Sequence, residues 1–173
     1  MNGPRRTLVK SALVLVSALV LQVGVVADLR VLDAVGDLLL LTTVAAALVD
    51  GPDRGATWGF AAGLLYDLVL DTPFALSALT YALVGYLVGL AAAALTRPAG
   101  WWPVGIAVAA GFGATTLYTI VAHLVGEPYP FGDVPRVGLT VALWNAALVL
   151  PACSLLRRVF GRSEPDRVRV SLR

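Results

Sequence analysis

Residues Gly55–Asp71 read GATWGFAAGLLYDLVLD. Glycines stand at Gly55, Gly59 and Gly63, and the same four-residue step lands on Asp67 and Asp71, within a segment otherwise apolar enough to lie in a bilayer. Glycine at every fourth position strips side chains from one ridge of a helix, so a neighbouring helix can approach until the backbones touch. Each step of four advances about 400°, roughly 40° past a full turn, so a helix following this ridge is expected to cross at a right-handed angle of ~40°. The two carboxylates continue the ridge. An Asp at the centre of a membrane helix costs ~2.5–3.5 kcal/mol on insertion scales, so it faces protein or water and not lipid. The stretch therefore predicts a packing helix with a polar upper end, in a protein built by helices pressed together inside a membrane.

Composition agrees with that reading. The chain has 173 residues, of which 58% are hydrophobic and 14% charged. A soluble domain carries roughly 25% charge, so this chain is short of water-facing surface and is expected to be an integral membrane protein. Its length suits one compact membrane domain with short loops and no folded soluble domain. A lone cysteine, Cys153, excludes an internal disulfide and any cysteine-rich metal site, and a lone histidine, His123, leaves a zinc site short of ligands. No catalytic residue, cofactor, metal or nucleic-acid partner is expected.

Apolar runs broken by charge or proline give six candidate spans, near 8–27, 36–49, 55–71, 74–95, 101–125 and 137–157, followed by a basic tail over 161–173. A span needs about 20 residues to cross ~30 Å, so the second and third, being short, are expected to recruit flanking residues or thin the bilayer locally. Lipid permits only helices or closed barrels, and these continuous Leu/Val/Ala runs lack the alternation of a barrel strand. The fold class is all-α, a bundle of six transmembrane helices. With the N-terminus in the cytoplasm, 11 of the 13 basic residues fall on the cytoplasmic side and only Arg30 and Arg136 outside. The positive-inside rule thus places both termini in the cytoplasm of a multi-pass protein of the bacterial plasma membrane. The first span resembles a signal peptide ending at Val25-Val26-Ala27, but its apolar core of about 17 residues exceeds the usual 7–15, which favours retention.

Several polar residues interrupt the apolar pattern. Gln22 in the first span is read either as a bond to a neighbouring helix or as an amide near the interface. Gly36 and Asp37, just before LLLLTTVAAALV, read as a helix start, where a carboxylate accepts a first-turn amide. Asp50-Gly51-Pro52-Asp53 is a turn. The short Asp71-Thr72-Pro73 turn makes the third and fourth spans antiparallel neighbours and brings Asp67 and Asp71 near Ser77 or Thr80. Gly85 and Gly89 repeat the four-residue step in the fourth span, beside Tyr81 and Tyr86. Trp101 and Trp102 read as interfacial anchors. The loop GEPYPFGDVP offers Tyr129 and Phe131 to a partner or to headgroups. Asn145 is the strongly polar side chain at depth in the last span, and Pro151 is expected to kink it.

The order of these features resembles the MreD family of rod-shape-determining membrane proteins. The likeness is carried by LVLQVGV in the first span, DLLLLTTVAAALVDG through the second, and above all GATWGFAAGLLYDLVLDTPFALSALTYALVGYLVG. Family members usually place proline just before the acidic start of the second span and glycine soon after the proline of the third turn, where this chain has Gly36 and Ala75. The resemblance implies a non-enzymatic partner of the bitopic protein MreC. It also implies action with MreB-type filaments and with the synthase pair RodA and a class B penicillin-binding protein. The family fold is similar to the six-helix substrate-binding subunits of energy-coupling-factor transporters, which keeps open a small-ligand reading with a pocket near Asp67, Asp71 and the external loops. A third reading starts from Asp50-Gly-Pro-Asp-Arg54 followed by Gly63, Asp67 and Asp71, which approximates the motif of CDP-alcohol phosphatidyltransferases. Ala47 stands where that motif needs its first Asp, and a metal pair needs several hard oxygen ligands.

Overall fold

The structure is a computed structural model that describes residues 4–31, 34–69, 75–95, 100–127 and 129–160. Six α-helices carry it: α1 (Pro4–Gly24), α2 (Leu38–Asp50), α3 (Pro52–Asp67), α4 (Leu76–Ala94), α5 (Trp102–Leu124) and α6 (Val134–Phe160). The only strands among the described residues are the two-residue β1 (Arg30–Val31) and β2 (Ala34–Val35), paired antiparallel between α1 and α2. Single 3-10 turns at Val26–Asp28 and Phe131–Asp133 shape the α1–α2 and α5–α6 connections. Helices α4, α5 and α6, together with the segment Thr7–Asp28, are long and apolar enough to cross a membrane. The chain is an all-α membrane protein.

The centre of the bundle is α2 and not the glycine-rich α3. Eight of its 13 residues are buried, among them Leu39, Leu40, Thr43, Val44, Ala45 and Ala47. It packs against α1, α3, α4, α5 and α6. That position explains its length. Thirteen residues rise only ~20 Å, too little to meet lipid on both sides, but a helix sheathed by its neighbours has no hydrocarbon thickness to match. The expectation that this span recruits flanking residues or thins the bilayer is therefore not needed for α2.

The long helices show one buried and one bare side. In α4 the buried set Leu76, Thr80, Tyr81, Val84, Gly85 and Val88 recurs at helical spacing, while Leu79, Leu83, Leu87 and Leu90 are exposed on the other side. Such leucines belong against acyl chains. The turn between α2 and α3 is a single residue, Gly51, whose φ of 88° only glycine adopts without strain, with Pro52 opening α3. At that lower end Lys10 Nζ donates to the Val159 carbonyl at 2.8 Å, and Trp58 meets Phe160 edge-on at 5.5 Å. These contacts tie α1 and α3 to the end of α6, which continues unbroken past Pro151.

Candidate functional site

The glycine ridge of α3 is covered by α4 of the same chain. A methyl group built on Gly59 would fall within 3.0 Å of the Tyr81 backbone, one on Gly63 equally close to Ser77 and Ala78, and one on Gly55 at 2.5 Å from the Gly85 carbonyl oxygen. The contact is reciprocal. Gly85 faces the Gly55 backbone, and Gly89 faces Gly51 and Pro52. At each of these positions any side chain would hold the two helices apart, because the obstacle is backbone and cannot rotate away. A second close approach joins α5 to α6, where Gly111 lies against the Ala142 backbone at 2.8 Å from a would-be methyl.

Asp67 closes the top of the ridge. Its Oδ1 accepts from the Ser77 amide at 3.0 Å and its Oδ2 from the Ala78 amide at 3.1 Å. The reason lies in the local sequence. Helix α4 begins after Ala75, which has no capping side chain, so the second and third amides of its first turn need an acceptor from elsewhere. Asp67, at the last turn of α3, supplies both oxygens, and the positive end of α4 favours its charge. Helix α3 ends at Asp67, four residues short of the stretch read from sequence. Asp71 lies outside the described residues.

A second polar cluster joins α1, α2 and α4 at the same upper end. Gln22 is buried, its Nε2 donating to the Gly36 carbonyl at 2.8 Å and its Oε1 accepting from the Leu38 amide at 2.8 Å. Asp37 Oδ1 accepts from the Leu40 amide at 2.9 Å, and its Oδ2 accepts from the Tyr81 hydroxyl. The first turn of α2 is thus capped twice, once by its own Asp37 and once by α1. Gly36 is needed here for a different reason from the ridge glycines. A methyl group on it would lie 2.5–2.8 Å from the indole of Trp144.

Beside Asp37 lies a cavity of ≈ 230 Å³ walled by Tyr66, Tyr81, Tyr118 and Tyr129, with Ser77 and Thr115. Tyr66 stacks on Tyr81 at 6.4 Å, and Tyr118 meets Tyr129 edge-on at 5.5 Å. These tyrosines come from α3, α4, α5 and the α5–α6 loop, so sequence order conceals their convergence. The available signal is that each lies within a few residues of a helix end on one side of the bundle. Neither Asp67 nor Asn145 lines this cavity. Asn145 is wholly buried on α6, next to Gly111, and its amide oxygen and nitrogen have no hydrogen-bond partner among the described residues.

The family described as rod shape-determining protein MreD matches residues 5–159. The chain belongs to the MreD family. As an MreD protein it serves in rod-shape determination, and its apolar helices make it a membrane protein. No match was found among curated proteins or among solved structures.

Proposed function

We propose that this MreD protein is a non-enzymatic scaffold of the cell-elongation complex. It seats the single transmembrane helix of an MreC-like protein, and so helps position peptidoglycan synthesis by RodA and a class B penicillin-binding protein alongside MreB-type filaments. What carries the reading is how the intramembrane acid is used. Both oxygens of Asp67 are committed to amides of α4, so this carboxylate holds the bundle together and has little left for a metal ion or a substrate. The same commitment weighs against a phosphatidyltransferase, whose chemistry needs acidic oxygens free to ligate a divalent cation.

The partner's seat lies on an outward face, because α4 covers the glycine ridge. The groove between α4 and α5 suits a single helix. It is lined by Leu83, Leu87, Ile106, Ala109 and Gly113, and nothing lies within 4 Å of a methyl group placed on Gly113. Ala109 and Gly113 are one four-residue step apart, the spacing that lets a second backbone come close. Both termini lie in the cytoplasm in this reading, following the distribution of basic residues.

A photocrosslinking residue at position 113 in native membranes tests this. Capture of a single-pass membrane protein, lost when Ala109 is replaced by Leu, is the expected result. Crosslinks to lipid alone at 113, with undiminished partner recovery from Ala109→Leu and Gly113→Leu membranes, would reject the proposed seat. Partner recovery that fails from wild-type membranes under every extraction condition would reject the scaffold itself.

A further inference from the structure

The cavity beside Asp37 has a composition of its own. We propose that it binds a small organic ammonium ion, held by the Asp37 carboxylate and enclosed by tyrosine rings. Four aromatic faces or edges converge there, from Tyr66, Tyr81, Tyr118 and Tyr129, and aromatic walls of this kind attract cations through the negative face of the ring. Among the described residues that line the cavity, Asp37 is the only one with a formal charge, and none is Lys, Arg or His. Nor does any ion pair to Asp37 occur among the described residues. The Asp37 oxygens accept from the Leu39 and Leu40 amides at the start of α2 and from the Tyr81 hydroxyl, and none of these donors carries a charge. A half-buried carboxylate without a cationic neighbour among the described residues raises the question of what completes it.

Ser77 gives an independent indication. It is 1% exposed, its hydroxyl has no hydrogen-bond partner among the described residues, and it lines the same cavity. The Thr115 and Thr119 hydroxyls nearby are already occupied by the Gly111 and Thr115 carbonyls, at 3.1 Å and 3.0 Å. Ser77 therefore supplies an unused acceptor, which an ammonium N–H or a ligand hydroxyl can fill. At ≈ 230 Å³ the space falls below the ~300–1,000 Å³ of drug-sized pockets, and matches a headgroup-sized molecule. Tyr129, which is 43% exposed on the α5–α6 loop, stands at its mouth.

The same ammonium chemistry is available from a free amine or from an amine-headed lipid, and the experiment separates them. The purified full-length protein in detergent is titrated with choline and with ethanolamine, with acetate as the anionic control, and thermal unfolding is followed. In parallel it is placed in nanodiscs of phosphatidylglycerol with or without phosphatidylethanolamine. Saturable stabilisation by a free amine assigns a soluble ligand, and stabilisation only by the amine-headed lipid assigns the headgroup. Either supports the proposal. Asp37→Asn keeps the cap on α2, since Asn caps as well as Asp, and is expected to weaken the response at least tenfold. Tyr129→Ala removes one exposed wall and is expected to weaken it about two- to fivefold. No saturable response of the wild-type protein to any of these probes would overturn the proposal. So would a response of Asp37→Asn within twofold of wild type. Should Asp37→Asn fail to fold, Tyr129→Ala decides, and an unchanged affinity there would overturn it.

Discussion

Asp67 is a charge placed where two amides need it. Replacing it by Asn keeps one acceptor oxygen and loses one charge-assisted bond, a cost of about 1.5–3 kcal/mol, whereas Leu leaves two buried N–H groups of α4 unsatisfied, about 3–5 kcal/mol. Denaturant or thermal unfolding in detergent should rank wild type above Asn and Asn above Leu. Equal losses from the two substitutions would show that the carboxylate does something other than cap. Eight residues on, Ala75 holds a φ of 74°, a left-handed conformation that costs a residue with a Cβ roughly 1–2 kcal/mol. Glycine relieves that strain but is freer in the unfolded chain by ~0.4–1 kcal/mol. Ala75→Gly should therefore stabilise the protein by about 0.5–1 kcal/mol, seen as a higher unfolding midpoint. A lower midpoint would mean that the turn does not hold this conformation.

At the scale of elements, the α3–α4 pair is set by contacts between backbones, and its tolerance to side chains is position-specific. Gly59→Ala puts a methyl within 3.0 Å of the Tyr81 carbonyl, and overpacking of this kind costs about 1–3 kcal/mol or more. Gly113 is also a mid-helix glycine, but nothing lies within 4 Å of the same addition. Gly113→Ala should be neutral or stabilising by up to about 1 kcal/mol, since alanine is the better helix former. The pair of substitutions separates packing from propensity. Unfolding curves that shift alike for both would show that the ridge does not bring α3 and α4 into backbone contact. Gly36 follows the same logic through a side chain: what a methyl would meet there is the Trp144 ring. Any larger residue at that place would meet the same ring on α6.

The whole molecule is a short central helix in a sheath of longer ones, with polar groups gathered at one end. That end carries the connections α1–α2, α3–α4 and α5–α6, and cytoplasmic termini, as the basic residues predict, would put it outside the cell. With Cys153, which is buried against the Ala45 carbonyl, replaced by Ala, Glu127→Cys should react with a membrane-impermeant maleimide in intact cells. Ser163→Cys should react only after lysis. Labelling in the opposite sense would invert the bundle and move the tyrosine-lined cavity to the cytoplasmic side.

What could be read from residues alone follows from short-range physics. Apolar runs of Leu, Val and Ala dictate helices in lipid, a four-residue glycine step dictates a close helix contact, and Gly51-Pro52 dictates a turn. These depend on neighbours within a turn or two, so sequence contains them. Which helix fills the ridge, and which helix stands at the centre, depend on how six elements pack, and no local pattern encodes that. The leucines of α2 at the centre and those of α4 against lipid are written in the same letters, because a bilayer and a helix surface are equally apolar partners. The cavity of Asp37, Ser77 and the four tyrosines is the extreme case. Its walls come from five separate segments, each unremarkable by itself, and only their convergence in space makes them a site.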